Sequence, residues 1–177
     1  EIEKTPYSYS KHGSEMEVWR ASQEGVPVVI INPGIIIGNN LNNSQIQKIN
    51  KNKFNFYTSG VSGFVTVEDV VKASIGLMEA NIKNERFILV SENISFKDFV
   101  IHISKKNKNY PISMPKSVLY LFWFIESFFS HLKLKNKFFT RALINSLYSK
   151  SHYDGNKIYQ YLKNFKYSDI YSYLDKC

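Results

Sequence analysis

One short aliphatic run limits the folds open to this chain more than any other feature. Residues 26–31 read Val-Pro-Val-Val-Ile-Ile and are bounded by Gly25 on one side and Pro33 on the other. A short, β-branched and nearly continuous apolar run predicts a fully buried parallel strand. The stretch from Lys11 to Gly25 has helical propensity and ends at a glycine, so we expect a helix before the strand.

Tyr7 and Lys11 form a candidate acid/base pair at the start of that helix. They stand four positions apart, and at about 100° per residue this spacing places both side chains on one face. A free tyrosine titrates near pH 10, and a lysine charge about one turn away favours the phenolate form. The pair can therefore move a proton to or from an alcohol or carbonyl. The same spacing also occurs by chance in surface helices, where the tyrosine has no chemical role.

The surroundings of this pair add a longer pattern. The residues that carry it are Tyr7, Ser10, Lys11, Asn32, Pro33, Gly34 and Gly38. This arrangement resembles the active-site helix and following strand of the extended short-chain dehydrogenase/reductase family, in its NAD-dependent epimerase/dehydratase and dihydroflavonol reductase-like branch. Residues 63–73 and 86–91 are similar to a later helix and strand of the same family, so the resemblance covers about residues 4–105.

The resemblance implies NAD or NADP as the cofactor and a small molecule as the substrate. Tyr7 is then the proton donor or acceptor at the substrate oxygen, and Lys11 assists it and binds the nicotinamide ribose. The implied cofactor-binding residues are Lys11, Pro33, Gly34, Ile36 and, as a polar contact in the following loop, Ser44. Ligands of open α/β sheets bind beyond the carboxyl ends of the strands, where the turn at Pro33 falls. Apart from the resemblance, this segment reads as a turn that closes a core strand.

The order of predicted elements favours an α/β fold. The resemblance implies the C-terminal part of a Rossmann-like, doubly wound parallel sheet, with a mostly helical substrate-binding subdomain. We expect residues 1–107 to form the C-terminal part of the NAD(P)-binding domain with its substrate loops. Residues 108–177 are expected to form the helical substrate-binding or lid region, because the composition changes beyond Asn107.

Two helices in the first region have specific expected features. We expect a helix from Asp69 to Ala80, with Asp69 in a capping role, and another from Ser95 to about Lys105, capped by Ser95 with Asp98 as its partner. The residues expected on the buried side of the first are Val70, Val71, Ser74, Leu77 and Met78. In the opening helix, Met16 and Trp19 are expected to share a buried flank. Many relatives have histidine where Thr66 stands, so the resemblance assigns no histidine function at that position.

Residues 118–129 predict an intensely apolar, aromatic helix. A membrane span needs about 20 predominantly apolar residues, and this run is shorter. We interpret it as a substrate lid or core helix. The alternative is contact with a membrane surface, which the flanking residues Lys116, Lys133, Lys135 and Lys137 would suit.

Composition narrows the remaining classes. The net charge is +8, but the lysines are scattered among asparagines and tyrosines and match no nucleic-acid motif. The single cysteine, Cys177, suits a reducing compartment, and we expect a cytoplasmic protein without signal or transit peptide. The four histidines lie far apart without ligand spacing, so no metal site is expected.

One element of the resembled family is missing from the 177 residues. No glycine-rich turn of the form Gly-x-x-Gly-x-x-Gly occurs among the eight glycines, although such a turn holds the cofactor pyrophosphate. We therefore expect the C-terminal portion of a longer NAD(P)-dependent oxidoreductase whose N-terminal half is its partner, and little activity from this chain alone. The alternatives are a noncatalytic or membrane-surface binding module and an inactive remnant.

Overall fold

Strands and helices alternate through the first part of the computed structural model, which describes residues 6–38, 55–105, 110–131 and 140–176. The strands are β1 (Val29–Pro33), β2 (Ile35–Ile37), β3 (Phe56–Tyr57), β4 (Val61–Thr66), β5 (Glu85–Leu89), β6 (Glu92–Ser95) and β7 (Ile112–Ser113). The helices are α1 (Pro6–Gln23), α2 (Val67–Glu79), α3 (Phe96–Lys105), α4 (Lys116–His131), α5 (Arg141–Tyr148), α6 (Ile158–Tyr161) and α7 (Ile170–Lys176). The strand pairs β1–β5, β2–β4 and β3–β7 are all parallel, which confirms the α/β class.

The described residues fall into two compact units. The first, here called the site unit, comprises residues 6–38, 62–93 and 152–176. The second, here called the helical unit, comprises residues 55–61, 94–105, 110–131 and 140–151. The domain division expected at residue 107 stays a prediction.

The core of the site unit lies on one face of the β1–β5 pair. The register runs from Val29 opposite Glu85 to Pro33 opposite Leu89. A cluster of buried side chains covers this face: Val65, Ala73, Leu77, Phe87, Leu89 and Ile158. Because side chains alternate along a strand, Asn32 and Arg86 belong to the opposite face.

The prediction of a fully buried strand from Val26 was wrong in extent and in burial. Strand β1 begins only at Val29, and Val26 is 53% exposed. The end of α1 takes up the intervening residues, since the Val26 N–H donates to the Ala21 carbonyl at 3.1 Å. The residues of β1 are half-buried or exposed, because only one face of the strand packs against the core cluster.

Helix α2 begins differently from the prediction. Thr66 is its N-cap, and its Oγ1 accepts a hydrogen bond from the Asp69 N–H at 3.1 Å. Thr66 thus has a structural role, and the assignment of Asp69 as a capping residue was wrong. The fully buried Asp69 carboxylate instead accepts from the Ser168 N–H at 2.8 Å and the Ser168 hydroxyl at 2.9 Å.

The predicted buried side of α2 was rotated from the observed one. The buried residues are Asp69, Ala73 and Leu77, which repeat every four positions and share one face. Val71 is 51% exposed and Met78 is 84% exposed, although both were predicted to be buried. The bonds to Ser168 turn Asp69 inward and so determine which face of α2 is buried. Hydrophobicity alone did not indicate that face.

The helical unit contains the second predicted cap. The Ser95 hydroxyl accepts from the Asp98 N–H at 3.0 Å and lies 2.6 Å from the Asp98 carboxylate, to which it donates. This reciprocal pair confirms the predicted start of α3. Inside the unit, the buried Asn55 amide donates to the Ser104 hydroxyl at 3.0 Å.

Helix α4 forms where the apolar run predicted a helix. It packs against α5, where the Tyr120 hydroxyl donates to the Asn145 side chain at 3.0 Å and the Arg141 guanidinium lies 4.4 Å from the Trp123 ring. The large apolar side chains of α4 that stay exposed are Leu121, Phe122, Phe124, Ile125 and Phe128. No helix in the described ranges is long and apolar enough to cross a membrane. The lid and membrane-surface roles both stay predictions.

Candidate active site

Helix α1 carries the acid/base pair and ends in a glycine-dependent cap. Gly25 adopts a φ of 96°, the left-handed region that favours glycine. Its N–H donates to the Ser22 carbonyl, while the next N–H, of Val26, donates to Ala21. This pair of bonds is the Schellman motif, which satisfies the last carbonyls of the helix and turns the chain sharply toward β1.

Tyr7 and Lys11 lie next to each other on α1. The Lys11 Nζ atom is 5.8 Å from the centre of the Tyr7 ring. Tyr7 is 72% exposed and Lys11 is exposed too, so both side chains are open to a ligand. The arrangement brings an ammonium beside a phenol, as proton transfer by this pair requires.

Glu15 ties α1 to both strands of the β1–β5 pair. Its carboxylate accepts from the Asn32 side-chain amide at 3.2 Å and from the Arg86 guanidinium at 3.1 Å. The Trp19 indole N–H also donates to it, at 3.4 Å. Hydrogen bonding to Arg86 in particular lowers the pKa of Glu15, which favours the ionised form that can only accept.

These contacts correct one expectation about the helix. Met16 is 54% exposed, so the prediction that it shares a buried flank with Trp19 was wrong. Trp19 is half-buried because its indole lies against Glu15. The inward face of α1 is therefore set by a carboxylate rather than by a hydrophobic stripe.

The turn after β1 is a close approach of two backbones. The Gly34 N–H donates to the Leu89 carbonyl at 3.0 Å. A Cβ atom added to Gly34 would lie 2.4 Å from the Gly63 carbonyl oxygen and 3.0 Å from a Val90 methyl group. Glycine at position 34 is therefore explained by packing between β1 and β4, whatever its contact with a cofactor.

Replacing Gly34 by alanine is expected to lower the free energy of unfolding by about 1–3 kcal/mol, because the new methyl group meets a backbone oxygen. The matched control is Gly13→Ala in α1, where an added Cβ has no atom within 4 Å. That control is expected to raise stability by up to about 1 kcal/mol, the helix-propensity difference. Chemical denaturation checks both, and equal effects of the two changes would contradict this packing argument.

A cavity of about 410 Å³ lies at the end of β1 within the site unit. Its lining residues are Asn32, Pro33, Gly34, Ile35, Ser62, Arg86, Ile88, Val90 and Tyr153. They come from the carboxyl end of β1 and the turn after it, from β4 and β5, and from the segment after residue 152. This is the location where open α/β sheets bind their ligands.

Asn32 is held in one orientation at the edge of this cavity. Its amide nitrogen donates to Glu15, and an ionised carboxylate can accept but not donate, so the nitrogen must face Glu15. The Oδ1 atom consequently points elsewhere, is buried, and has no hydrogen-bond partner among the described residues. Burying such an oxygen costs about 1–3 kcal/mol, so Asn32 is placed here at a cost to stability.

The structure brings only part of the predicted site together around the cavity. Pro33 and Gly34 line it, whereas Tyr7, Lys11 and Ile36 are not among its lining residues. Pro33 is exposed and Ile36 is 40% exposed. Ser44 lies outside the described residues. The assignment of these residues to catalysis and cofactor binding stays a prediction.

Sequence reasoning missed the contribution of Tyr153. The Tyr153 N–H donates to the Asn93 side chain at 2.9 Å, and the Asn93 amide donates back to the Tyr153 carbonyl at 2.9 Å. This two-way bond fixes the backbone of the segment that reaches the cavity. No local pattern could have indicated it, because the partners stand 60 positions apart.

Comparison with known proteins shows that the sequence around this site is similar to an NAD-binding family and to a reductase. Residues 2–84 match the model of an NAD-binding family described as male sterility protein. The chain is 30% identical over 112 residues to tetraketide alpha-pyrone reductase 2 of Arabidopsis thaliana, an alignment that covers 59% of this chain and 35% of that protein.

Solved structures share the fold. The crystal structure of gox2253 aligns with a TM-score of 0.72 and 21% identity, over 95% of this chain and 53% of its own. A nucleoside-diphosphate-sugar epimerase from Pseudomonas aeruginosa aligns with a TM-score of 0.71 and 17% identity, over 97% and 53%. RMD from Pseudomonas aeruginosa, solved with NADPH, aligns with a TM-score of 0.53 and 16% identity, over 63% of this chain and 42% of its own.

The chain thus spans about a third to a half of the length of these relatives. The matched family model includes α1, β1 and β2, so it covers the acid/base pair and the turn after β1. The parallel α/β fold agrees with the solved structures. These likenesses of sequence and fold confirm the resemblance to the extended short-chain dehydrogenase/reductase family, whose cofactor is NAD or NADP.

Proposed function

We propose that this chain is the C-terminal part of a cytoplasmic NAD(P)-dependent oxidoreductase, containing the catalytic helix and the substrate side of the active site. The reaction is the interconversion of a carbonyl and an alcohol on a small molecule or on a sugar-nucleotide-like substrate. The N-terminal half of the same enzyme would supply the glycine-rich turn that the 177 residues lack.

The observation that carries the proposal is the pairing of Tyr7 with Lys11 on a helix tied to the end of β1. Lys11 Nζ lies 5.8 Å from the Tyr7 ring, and four positions further along α1 the Glu15 carboxylate binds Asn32, directly before the turn at Pro33. A chance tyrosine and lysine on a surface helix would not require this connection to a strand end.

The residues present fit the nicotinamide end of the cofactor. Lys11, Pro33 and Ile36 are exposed, and Gly34 brings the backbone of the turn close to β4 without a side chain in the way. In the proposed complex Lys11 binds the ribose hydroxyls, while Pro33, Gly34 and Ile36 border the ring. The cofactor, when bound, supplies or accepts the hydride at the substrate carbon.

The proton is the part of the reaction that this chain's residues handle. In the reducing direction the Tyr7 hydroxyl donates its proton to the carbonyl oxygen of the substrate, and in the oxidising direction the phenolate accepts it back. The Lys11 ammonium, 5.8 Å from the centre of the Tyr7 ring, lies beside the group that exchanges the proton. Exposure of Tyr7 gives the substrate access to the hydroxyl.

The proposed need for a dinucleotide-binding half can be tested directly. The 177-residue chain alone is expected to bind NADH and NADPH at least about 100-fold more weakly than the protein in which a dinucleotide-binding half precedes it, because the pyrophosphate lacks its helix N-terminus. Isothermal titration with each cofactor measures the difference. Absorbance at the nicotinamide band then measures turnover with a panel of ketones, aldehydes and sugar nucleotides.

The matched control is the isolated chain at the same concentration, shown to be folded by its circular dichroism. Robust NAD(P)H oxidation by the isolated chain would contradict the need for a second half. A two-half protein that binds neither cofactor would contradict the proposed function itself.

A further inference from the structure

We propose that Glu15 is a positioning residue for the Tyr7–Lys11 pair. Its carboxylate fixes the rotation of α1, and the position of α1 along β1, so that the pair stands at the carboxyl end of the strand. This inference rests on the proposed function, since it concerns the geometry of that same reaction.

The first step is that three elements meet on one carboxylate. Asn32 from β1 and Arg86 from β5 both donate to Glu15, and Trp19 donates from the next turn of α1. The side chain of Glu15 is only 18% exposed, whereas that of Glu17 on the same helix is 69% exposed. Because the donors come from two strands, they fix both the rotation of α1 about its axis and its position along the strands.

The second step is the spacing along α1. Tyr7, Lys11 and Glu15 recur at intervals of four, so they lie along one face of the helix, about 6 Å apart in the axial direction. The chain turns back from α1 to β1 within residues 24–28, so the N-terminal end of α1 extends toward the carboxyl end of β1. With Glu15 level with Asn32, Lys11 falls near the level of Gly34, and Tyr7 about one further turn beyond the strand.

The third step is the chemistry of the contact. Hydrogen bonding to Arg86 lowers the pKa of Glu15, so near neutral pH the carboxylate accepts from all its partners and donates to none. The Asn32 amide can then take only one orientation, and its Oδ1 is left without a partner among the described residues. A helix anchored only for stability would need no such arrangement, since an apolar pair would avoid the unpartnered oxygen.

The experiment uses the protein that contains both halves and exchanges the carboxylate and the amide of the Glu15–Asn32 contact. Asn32→Asp places two carboxylates at a contact of 3.2 Å, where they repel. Adding Glu15→Gln reverses the direction of the hydrogen bond, because the glutamine amide then donates to Asp and its carbonyl still accepts from Arg86. Glu17→Gln is the matched control, since Glu17 pairs only with Arg20 in the contacts observed.

We expect Asn32→Asp to lower kcat by about 100-fold, the loss that a displacement of about 1 Å can cause. The double variant is expected to recover to within about 10-fold of the parent, and Glu17→Gln to remain at the parent rate. Amide hydrogen exchange in α1 should be faster in Asn32→Asp and near the parent rate in the double variant.

Two outcomes would overturn the inference while the parent enzyme is active. One is an unchanged kcat in folded Asn32→Asp, and the other is a double variant that is no better than the single one. Should Asn32→Asp fail to fold, Glu15→Gln alone decides, because it keeps the volume and is expected to lower kcat by about 10-fold. A parent protein without NAD(P)H-dependent turnover would instead contradict the proposed function, and the positioning role with it.

Discussion

Replacing Tyr7 by phenylalanine is expected to lower kcat by about 10²–10⁴-fold in the protein that combines this chain with a dinucleotide-binding half. The change removes one hydroxyl and with it the proton that the substrate oxygen must gain or lose, a contribution of about that size in general acid/base catalysis. Tyr7 is 72% exposed and contacts Lys11 through its ring, so the aromatic ring and the fold should be retained.

The affinity for NADH or NADPH is expected to change by less than about threefold, because the hydroxyl acts on the substrate rather than on the cofactor. Steady-state kinetics at saturating substrate and titration of the cofactor separate the two effects. Tyr9→Phe is the matched control: Tyr9 is a similarly exposed tyrosine on α1, two positions away and therefore on another side of the helix. A Tyr7→Phe protein as active as Tyr9→Phe would remove Tyr7 from the chemistry.

The features that the sequence predicted correctly are those encoded locally. The Ser95–Asp98 cap was predictable because both partners lie within one helical turn. At the start of α3, the Ser95 hydroxyl accepts from the Asp98 N–H and donates to the Asp98 carboxylate. The end of α1 followed from Gly25, whose positive φ is available to glycine at little cost. The α/β class followed from the alternation of apolar strands with helical segments.

The features that the sequence did not predict depend on partners far along the chain. Glu15 bonds to Arg86 across 71 positions, and Asp69 bonds to Ser168 across 99. Hydrophobic periodicity treats a carboxylate as a surface residue, so it put Asp69 in a cap and rotated the buried side of α2. Buried polar contacts between distant segments leave no periodic signal, and at both positions they decide which face of the helix turns inward.

The second large effect is expected on stability, at Asp69. Its carboxylate is fully buried and accepts two hydrogen bonds from one residue, the N–H and the hydroxyl of Ser168. The Ser168 carbonyl in turn accepts from the Ser91 hydroxyl at 2.8 Å, so this residue joins the segment before α7 to the rest of the site unit. Two residues later, Ile170 is fully buried, and its position depends on the same attachment.

Asp69→Ala is expected to lower the free energy of unfolding by about 3–5 kcal/mol, since two hydrogen bonds to a fully buried carboxylate are lost and the two half-buried donors of Ser168 are left without this acceptor. That is a large share of the about 5–15 kcal/mol that holds a typical domain folded. Ser168→Ala removes only the hydroxyl and should cost about half as much, while Glu79→Ala, on the exposed side of α2, should change stability by less than about 0.5 kcal/mol. Denaturant titration ranks the three variants by their free energy of unfolding. Hydrogen exchange should show α7 opening first in Asp69→Ala. If Asp69→Ala were no more destabilising than Glu79→Ala, the buried carboxylate would not be what holds Ser168, and the attachment of α7 would have to rest on its apolar contacts alone.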